Sequence, residues 1–122
     1  MQQVVVTNQT RALSQPVKAG YCNTFFTRLK GLMFQKRVGS YSGLLFAYDR
    51  DSRLDSAIHM FFVGFDISAI WIDSEGKVVD TCLAKRWRPF YMPSQPARYI
   101  LETHPHRLVE FQVGDRISFE SV

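Results

Sequence analysis

The sequence predicts a mainly β fold, a single small jelly-roll-like β-sandwich or barrel with one or two short helices. Three observations carry that reading. Short runs of β-branched and aromatic residues recur at near-regular spacing, turn residues separate them, and one stretch alone has helical periodicity. Val4–Thr7 is the first run, and Gly43–Ala47 is a compact apolar one that precedes the charged YDRDSRLD. Ala57–Val63 and Ile67–Asp73 follow, divided by Gly64. Asp73-Ser74-Glu75-Gly76 reads as a hairpin turn into Lys77–Ala84, because glycine supplies the positive φ such a turn needs. Arg98–Thr103 and Arg116–Glu120 complete the set, with Gly114-Asp115 marking the last turn.

The helical exception is Thr24–Phe34. Phe25, Leu29, Leu32 and Met33 fall at i, i+4, i+7 and i+8, so one face is expected against the core. Asn23 or Thr24 can cap its start and Gly31 can end it. Because helices do not alternate with the strands, a parallel α/β sheet is not expected.

A chain of 122 residues, 46% apolar and 21% charged, fits one domain spanning 1–122 and excludes collagen-like or largely disordered classes. Its apolar runs are too short for a membrane span. The start, MQQVVVTNQT, lacks the basic and then apolar pattern of a secretory signal, so the cytoplasm is the expected compartment; a removed signal would leave the same sequence. Cys22 and Cys82 stand alone, and two ordinary thiols are the expected state.

Several landmarks occur in one order: Arg28-Leu-Lys-Gly-Leu-Met-Phe34, Ile58-His-Met-Phe-Phe62, the strand ending in Asp73, Gly76 with Val78-Val79, Trp87-Arg88, Tyr99-Ile-Leu-Glu102 and Val113-Gly-Asp-Arg-Ile117. This series, over residues 13–120, resembles the domain of unknown function 192 family, in the branch whose central motif reads roughly IHTFFM. The resemblance implies a small jelly-roll-like β domain and supplies no reaction. Ser68 stands where that motif usually has Asp, Met60 replaces the threonine after His59, and His106 replaces a turn glycine.

The net charge of +4 is unevenly laid down. Residues 1–48 carry six basic side chains and no acid, residues 49–82 are acidic, and residues 83–107 are basic again. Two readings are open: the blocks pair within the fold, or a basic face attracts an anionic partner.

The leading candidate surface is Lys85-Arg86-Trp87-Arg88-Pro89-Phe90-Tyr91-Met92-Pro93 with Arg98. Guanidinium groups beside aromatic rings suit nucleic-acid bases or acidic sugar rings, so Arg86, Trp87, Arg88, Tyr91 and Arg98 are the expected ligand-binding residues. The competing reading tucks Trp87, Phe90 and Met92 into the core. Arg28, His59 and Glu102 are secondary candidates. His59, placed on a strand, could serve as an acid/base with an Arg86 or Arg88 clamp, or be a satisfied core histidine. His104-Pro105-His106 reads as a solvated loop and not a metal site, and no cofactor is expected. Asp49, Asp51 and Asp55 read as a solvated loop. The function this supports is a binding or accessory module for an anionic or glycan ligand, with nucleic acid or a protein as possible partners. A small enzyme and a purely structural domain are the alternatives.

Overall fold

The structure, a computed structural model, describes residues 2–122. Seven strands run in chain order: β1 (Gln3–Asn8), β2 (Val17–Cys22), β3 (Ser42–Ser52), β4 (Ile67–Ile72), β5 (Val78–Ala84), β6 (Ala97–Thr103) and β7 (Ile117–Ser121). A short helix α1 (Phe25–Lys30) and a 3₁₀ turn α2 (Pro105–Glu110) complete them. The mainly β expectation with two short helices therefore holds. In detail the strands form one sheet in the order β5-β4-β6-β3-β2-β1-β7, and it is not closed into a barrel.

The sheet does roll. Its two edge strands meet beyond their ends through a single bridge, Lys77 to Arg116, where the Val78 amide donates to the Asp115 carbonyl at 2.8 Å. Rolling produces an inner and an outer face, and both are apolar. Val4, Val6, Leu45, Ile70, Ile72, Leu101 and Ile117 pack together on the inner one. Cys22, Leu44, Phe46, Ala69, Trp71 and Ile100 form the other, and among the described residues no second sheet lies over it.

Loops cover that outer face, and topology explains why. β2 and β3 are parallel, and a parallel pair needs a long crossover between its strands. Residues 23–41 make that crossover and lie over Phe46. Thr24 caps α1 through a reciprocal pair with Thr27, and Gly31 ends it at φ +45°. A side chain on Gly31 would come within 3.1 Å of the Phe46 ring, so glycine also allows the crossover its close approach.

Three expectations require correction. First, no residue of α1 is buried, and Phe25 and Leu29 are exposed; of the expected stripe only the part past the helix reaches the core, with Leu32 buried and Met33 partly buried against it. A six-residue helix lying over a sheet face cannot turn a full apolar stripe inward. Second, Ala57–Val63 is not a strand. Ile58 makes one bridge to Tyr91, and the chain turns at Phe62, where φ is +61°. Its backbone groups bond instead to the loop 85–91, with the Met60 amide donating to Arg88 and the Trp87 amide to Met60. Third, β2 was not foreseen, because Val17-Lys-Ala-Gly-Tyr-Cys22 has little β-branched content. The hairpin at Gly76 (φ +85°) and the turn at Gly114 (φ +97°) stand where the sequence puts them.

Asp115 secures the place where the sheet edges meet. Its carboxylate accepts from Arg11 Nε at 2.7 Å, Asn8 Nδ2 at 2.8 Å and the Gln112 amide at 3.0 Å. The Arg11 bond, more than any other contact, holds its pKa down to about 2 against an ordinary 3.8. The stability it supplies is therefore complete above about pH 3.8 and lost as pH falls through 2. Asp115→Ala is expected to lower stability by about 1–3 kcal/mol at neutral pH, with the gap to wild type narrowing in acid. Denaturant titrations at pH 7 and pH 3 check this, and a gap independent of pH would contradict it.

Candidate functional site

Residues of β6 alternate between the two faces, so Ile100 and Glu102 both point to the outer, loop-covered side. Leu101 points to the inner one. Glu102 is thereby a carboxyl carried into an apolar layer, opposite Leu44 on β3 and Ala69 on β4. It is 5% exposed, and burial alone pushes its pKa up to about 8. Among the described residues no lysine or arginine is paired with it.

A cavity of about 690 Å³ opens onto this carboxyl. Phe46, Ile58, Val63 and Leu32 give it apolar walls, Phe25 and Tyr48 aromatic ones, and Arg28, Asp49, Arg50, Asp55 and His59 polar ones. The crossover thus delivers Arg28 and Phe25, and β3 delivers Phe46 and Tyr48. Arg28 is held in place: Nη1 donates to the Ala47 carbonyl at 3.0 Å and the guanidinium lies 4.8 Å from the Tyr48 ring centre. Burial raises Tyr48 to about 12 and Cys22 to about 11, so both stay protonated and uncharged at neutral pH.

His59 Nδ1 accepts from the Phe61 amide at 3.2 Å. That bond requires a bare Nδ1, and in the neutral ring it leaves the proton on Nε2, available as a donor. The ring is neither on a strand nor enclosed by backbone on both nitrogens. The three secondary candidates, Arg28, His59 and Glu102, therefore line one cavity, although 74 positions separate the first from the last.

The leading candidates are placed differently. Trp87 is exposed, with its ring 5.5 Å from Phe62, which stacks on Phe34 at 5.0 Å. Phe90 and Met92 are exposed too, so the tucked-in reading does not describe them. Arg86 and Lys85 both reach Asp66, at 3.5 and 3.7 Å. Arg86 also borders a smaller cavity of about 280 Å³ with Arg37, Asp66 and His104. Arg88 lies 5.8 Å from the Tyr91 ring centre, while the Tyr91 hydroxyl accepts from the Lys85 amide at 2.7 Å. Arg98 donates to the Tyr48 carbonyl at 2.9 Å and covers Tyr99. Part of the basic block is thus paired internally, as is Arg107 with Glu110 at 3.0 Å.

Among the described residues, the only non-glycine positions with positive φ are Phe34 (65°), Phe62 (61°) and Trp87 (63°). They are the same three aromatics that form the row in which Phe62 touches both Phe34 and Trp87. Each such backbone costs on the order of 1–3 kcal/mol, so this cluster is held against local preference.

His104 Nδ1 accepts from the His106 amide and caps α2; no group of three or more His, Cys, Asp or Glu side chains gathers among the described residues. Cys22 and Cys82 are free thiols. Ser68 is fully buried and donates to the Thr103 and His104 carbonyls at 3.2 and 2.9 Å, away from the large cavity.

The sequence series noted above can now be set beside known proteins. The model of the DUF192 family, described as an uncharacterized ACR, matches residues 4–119. The chain belongs to that family. A UPF0127 protein of Thermococcus kodakarensis is 38% identical over 117 residues, 94% of this DUF192 chain and 73% of the relative. One from Pyrococcus furiosus is 32% identical, covering 92% of this chain and 95% of the relative. A crystal structure from Sinorhizobium meliloti, provisionally named a transcription regulator, superposes with a TM-score of 0.82 at 16% identity, over 97% of this chain and 92% of the other. At that identity the likeness shows the fold alone. No helix among the described residues is long and apolar enough to cross a membrane.

Tyr48, Phe25, Asp49 and Asp55 were not foreseen as cavity residues. The available signal was the parity of Glu102 with Ile100, which puts a carboxyl on the same strand face as a core residue.

The raised pKa of Glu102 has a thermodynamic consequence. The unfolded chain releases this proton near 4.5, whereas the folded protein keeps it to about 8. Between those values the folded state binds the extra proton, so stability falls as pH rises from about 4.5 to 8. Glu102→Gln removes that titration. It is expected to match wild type near pH 4.5 and to exceed it by roughly 4 kcal/mol at pH 8. Unfolding measured at both pH values checks this, and a difference that does not grow with pH would contradict it.

Proposed function

We propose that this protein is a binding module whose ligand enters the Glu102 cavity and presents a hydroxylated, sugar-like ring. The observation that carries the reading is a buried carboxyl, free of any salt bridge among the described residues, at the wall of a cavity lined by aromatic side chains. Its volume lies within the ~300–1,000 Å³ typical of small-ligand sites.

The donor set selects among ligand classes. A wholly apolar ligand would cover Glu102 without a partner, leaving a desolvated carboxyl. A deep-seated anion would meet a group that becomes negative on ionisation, while Arg28 is already committed to Ala47 and Tyr48. A sugar ring satisfies both constraints. Its C–H face can lie on Phe25 or Tyr48, and its hydroxyls can bond to Glu102, His59 Nε2 and Asp49. Acidic substituents, where present, would point to Lys30 and Arg50 at the rim.

A second reading has one observation in its favour. A carboxyl raised to about 8 in the same cavity as His59 is suited to general acid–base catalysis, with Glu102 and not His59 as the leading proton carrier. The Gln variant separates the two: a binding site keeps its ligand, and an acid–base site keeps the ligand but loses turnover.

Thermal-shift screening of neutral and acidic mono- and disaccharides, with nucleotides, single-stranded DNA and RNA as competitors, tests the proposal. Ligand held only by the folded state must raise apparent stability, by about 2.7 kcal/mol at a hundredfold excess over Kd. A saccharide shift abolished in Tyr48→Ala and retained in Arg86→Ala/Arg88→Ala is the expected result. A shift with nucleic acid alone, lost in the double arginine variant, would return the site to residues 86–98.

A further inference from the structure

Three loop segments surround the exposed aromatic cluster: 23–41, 57–65 and 85–92. Backbone bonds tie them together, with the Phe34 amide donating to Phe62 at 2.9 Å and the Met60 amide to Arg88 at 3.0 Å. Together they carry seven lysines and arginines and no aspartate or glutamate, although the whole chain has eleven acids. Asp66, just outside, engages Lys85 and Arg86; Arg28 lies in the cavity wall. Lys30, Lys36, Arg37 and Arg88 have no salt-bridge partner among the described residues.

The apolar side chains on these segments project. Phe26 is 77% exposed, Phe34 72% and Trp87 53%, and Phe25, Phe62 and Phe90 on the same segments are exposed too. Projecting rings do not form a groove for a partner helix or strand; they suit a surface that can yield around them. A second copy of this chain packed face to face is a poor occupant, because the four unpaired cations of one copy would meet the same four of the other. A positively charged surface studded with Phe and Trp has the composition of an interfacial membrane contact, where rings enter the headgroup region and Lys or Arg meets lipid charge.

We propose that this aromatic and basic face docks the protein onto an anionic lipid surface, with Phe26, Phe34, Phe62 and Trp87 entering the headgroup layer and Lys30, Lys36, Arg37 and Arg88 neutralising lipid charge. Nothing in this contact spans the bilayer. It also accounts for the backbone strain at Phe34, Phe62 and Trp87, which holds three rings outward and together. The contact shares Lys30 with the rim of the Glu102 cavity, but it does not require that cavity to be filled.

The chain supplies its own reporter. It has two tryptophans, and Trp71 is buried at 1% exposure, so a change in emission on docking belongs to Trp87. The protein is mixed with vesicles of phosphatidylcholine alone, or of phosphatidylcholine with roughly one-third phosphatidylserine, at low and moderate salt. Expected with the anionic vesicles are co-sedimentation, a blue shift, and quenching by lipids brominated on their chains, all weakened by salt. Lys36→Glu/Arg37→Glu should lower partitioning by roughly 30-fold or more, and Phe26→Ser/Phe34→Ser should abolish the blue shift. Unchanged far-ultraviolet circular dichroism and unchanged buried Trp71 emission in both variants show that the fold is kept. Absence of binding to either vesicle would overturn the proposal, as would equal binding to both. A blue shift with soluble polyglutamate, without vesicle binding, would overturn it in favour of an acidic polypeptide partner.

Discussion

Every residue of β4 is buried. A strand with two buried sides obliges the molecule to cover both faces of its sheet, and the described residues supply no second sheet and no helix longer than six residues to do it. The inner face solves the problem by curvature: the sheet rolls until Gly76–Val78 and Asp115–Ile117 exchange backbone bonds. The outer face has only connecting segments to rely on. Loops fill space less completely than a regular element, because their backbone groups need partners and fix where the chain can run. The cavity beside Glu102 is where this coverage is incomplete.

The same constraint decides the character of the site. A carboxyl on an outer-face position of β6 could have been neutralised by Arg28, which lines the same cavity. Arg28 instead spends its guanidinium on the Ala47 carbonyl and the Tyr48 ring. Buried charges without partners are avoided by proton uptake, and the rise of Glu102 to about 8 is that response. The strained aromatics tell a similar story on the surface. Phe34, Phe62 and Trp87 adopt left-handed backbone, yet their rings lie largely in solvent, so core burial does not repay the strain. Two features of one loop-covered face thus run against stability, which is the pattern expected where local choices serve binding.

Six of the seven strands were legible because their residues are apolar, β-branched or aromatic, helped by glycines at positive φ in the turns before β5 and β7. β2 was not, since its central place in the sheet comes from parallel pairing with β3, a relation that leaves no local mark. Ala57–Val63 misled in the opposite direction. Its alternation is real, with Ile58 and Met60 buried, but its backbone bonds go to the 85–91 loop and not to a ladder. Within the site, Glu102 and Arg28 could be named singly from their surroundings. Their meeting with His59 could not, because it depends on where the nineteen-residue crossover lies on the sheet. The Trp87 stretch was legible as a surface, and its pairing with Phe34 and Phe62 was not.

Strand parity also bears on Ser68, the position where the resemblance leads one to expect an aspartate. Ser68 pairs with Thr103, and its neighbour Ala69 pairs with Glu102. Adjacent residues of a strand face opposite sides, so position 68 and position 102 cannot serve the same cavity. The Ser68 hydroxyl is occupied in tying the end of β6 to the entry of α2, through the carbonyls of Thr103 and His104. An aspartate in its place would bring a buried negative charge toward two carbonyl oxygens, neither of which can donate a hydrogen bond to it. Serine, which donates, is the better fit to these carbonyls. The departure is therefore a local adjustment at the end of β6, and the chemistry of the Glu102 cavity does not depend on it.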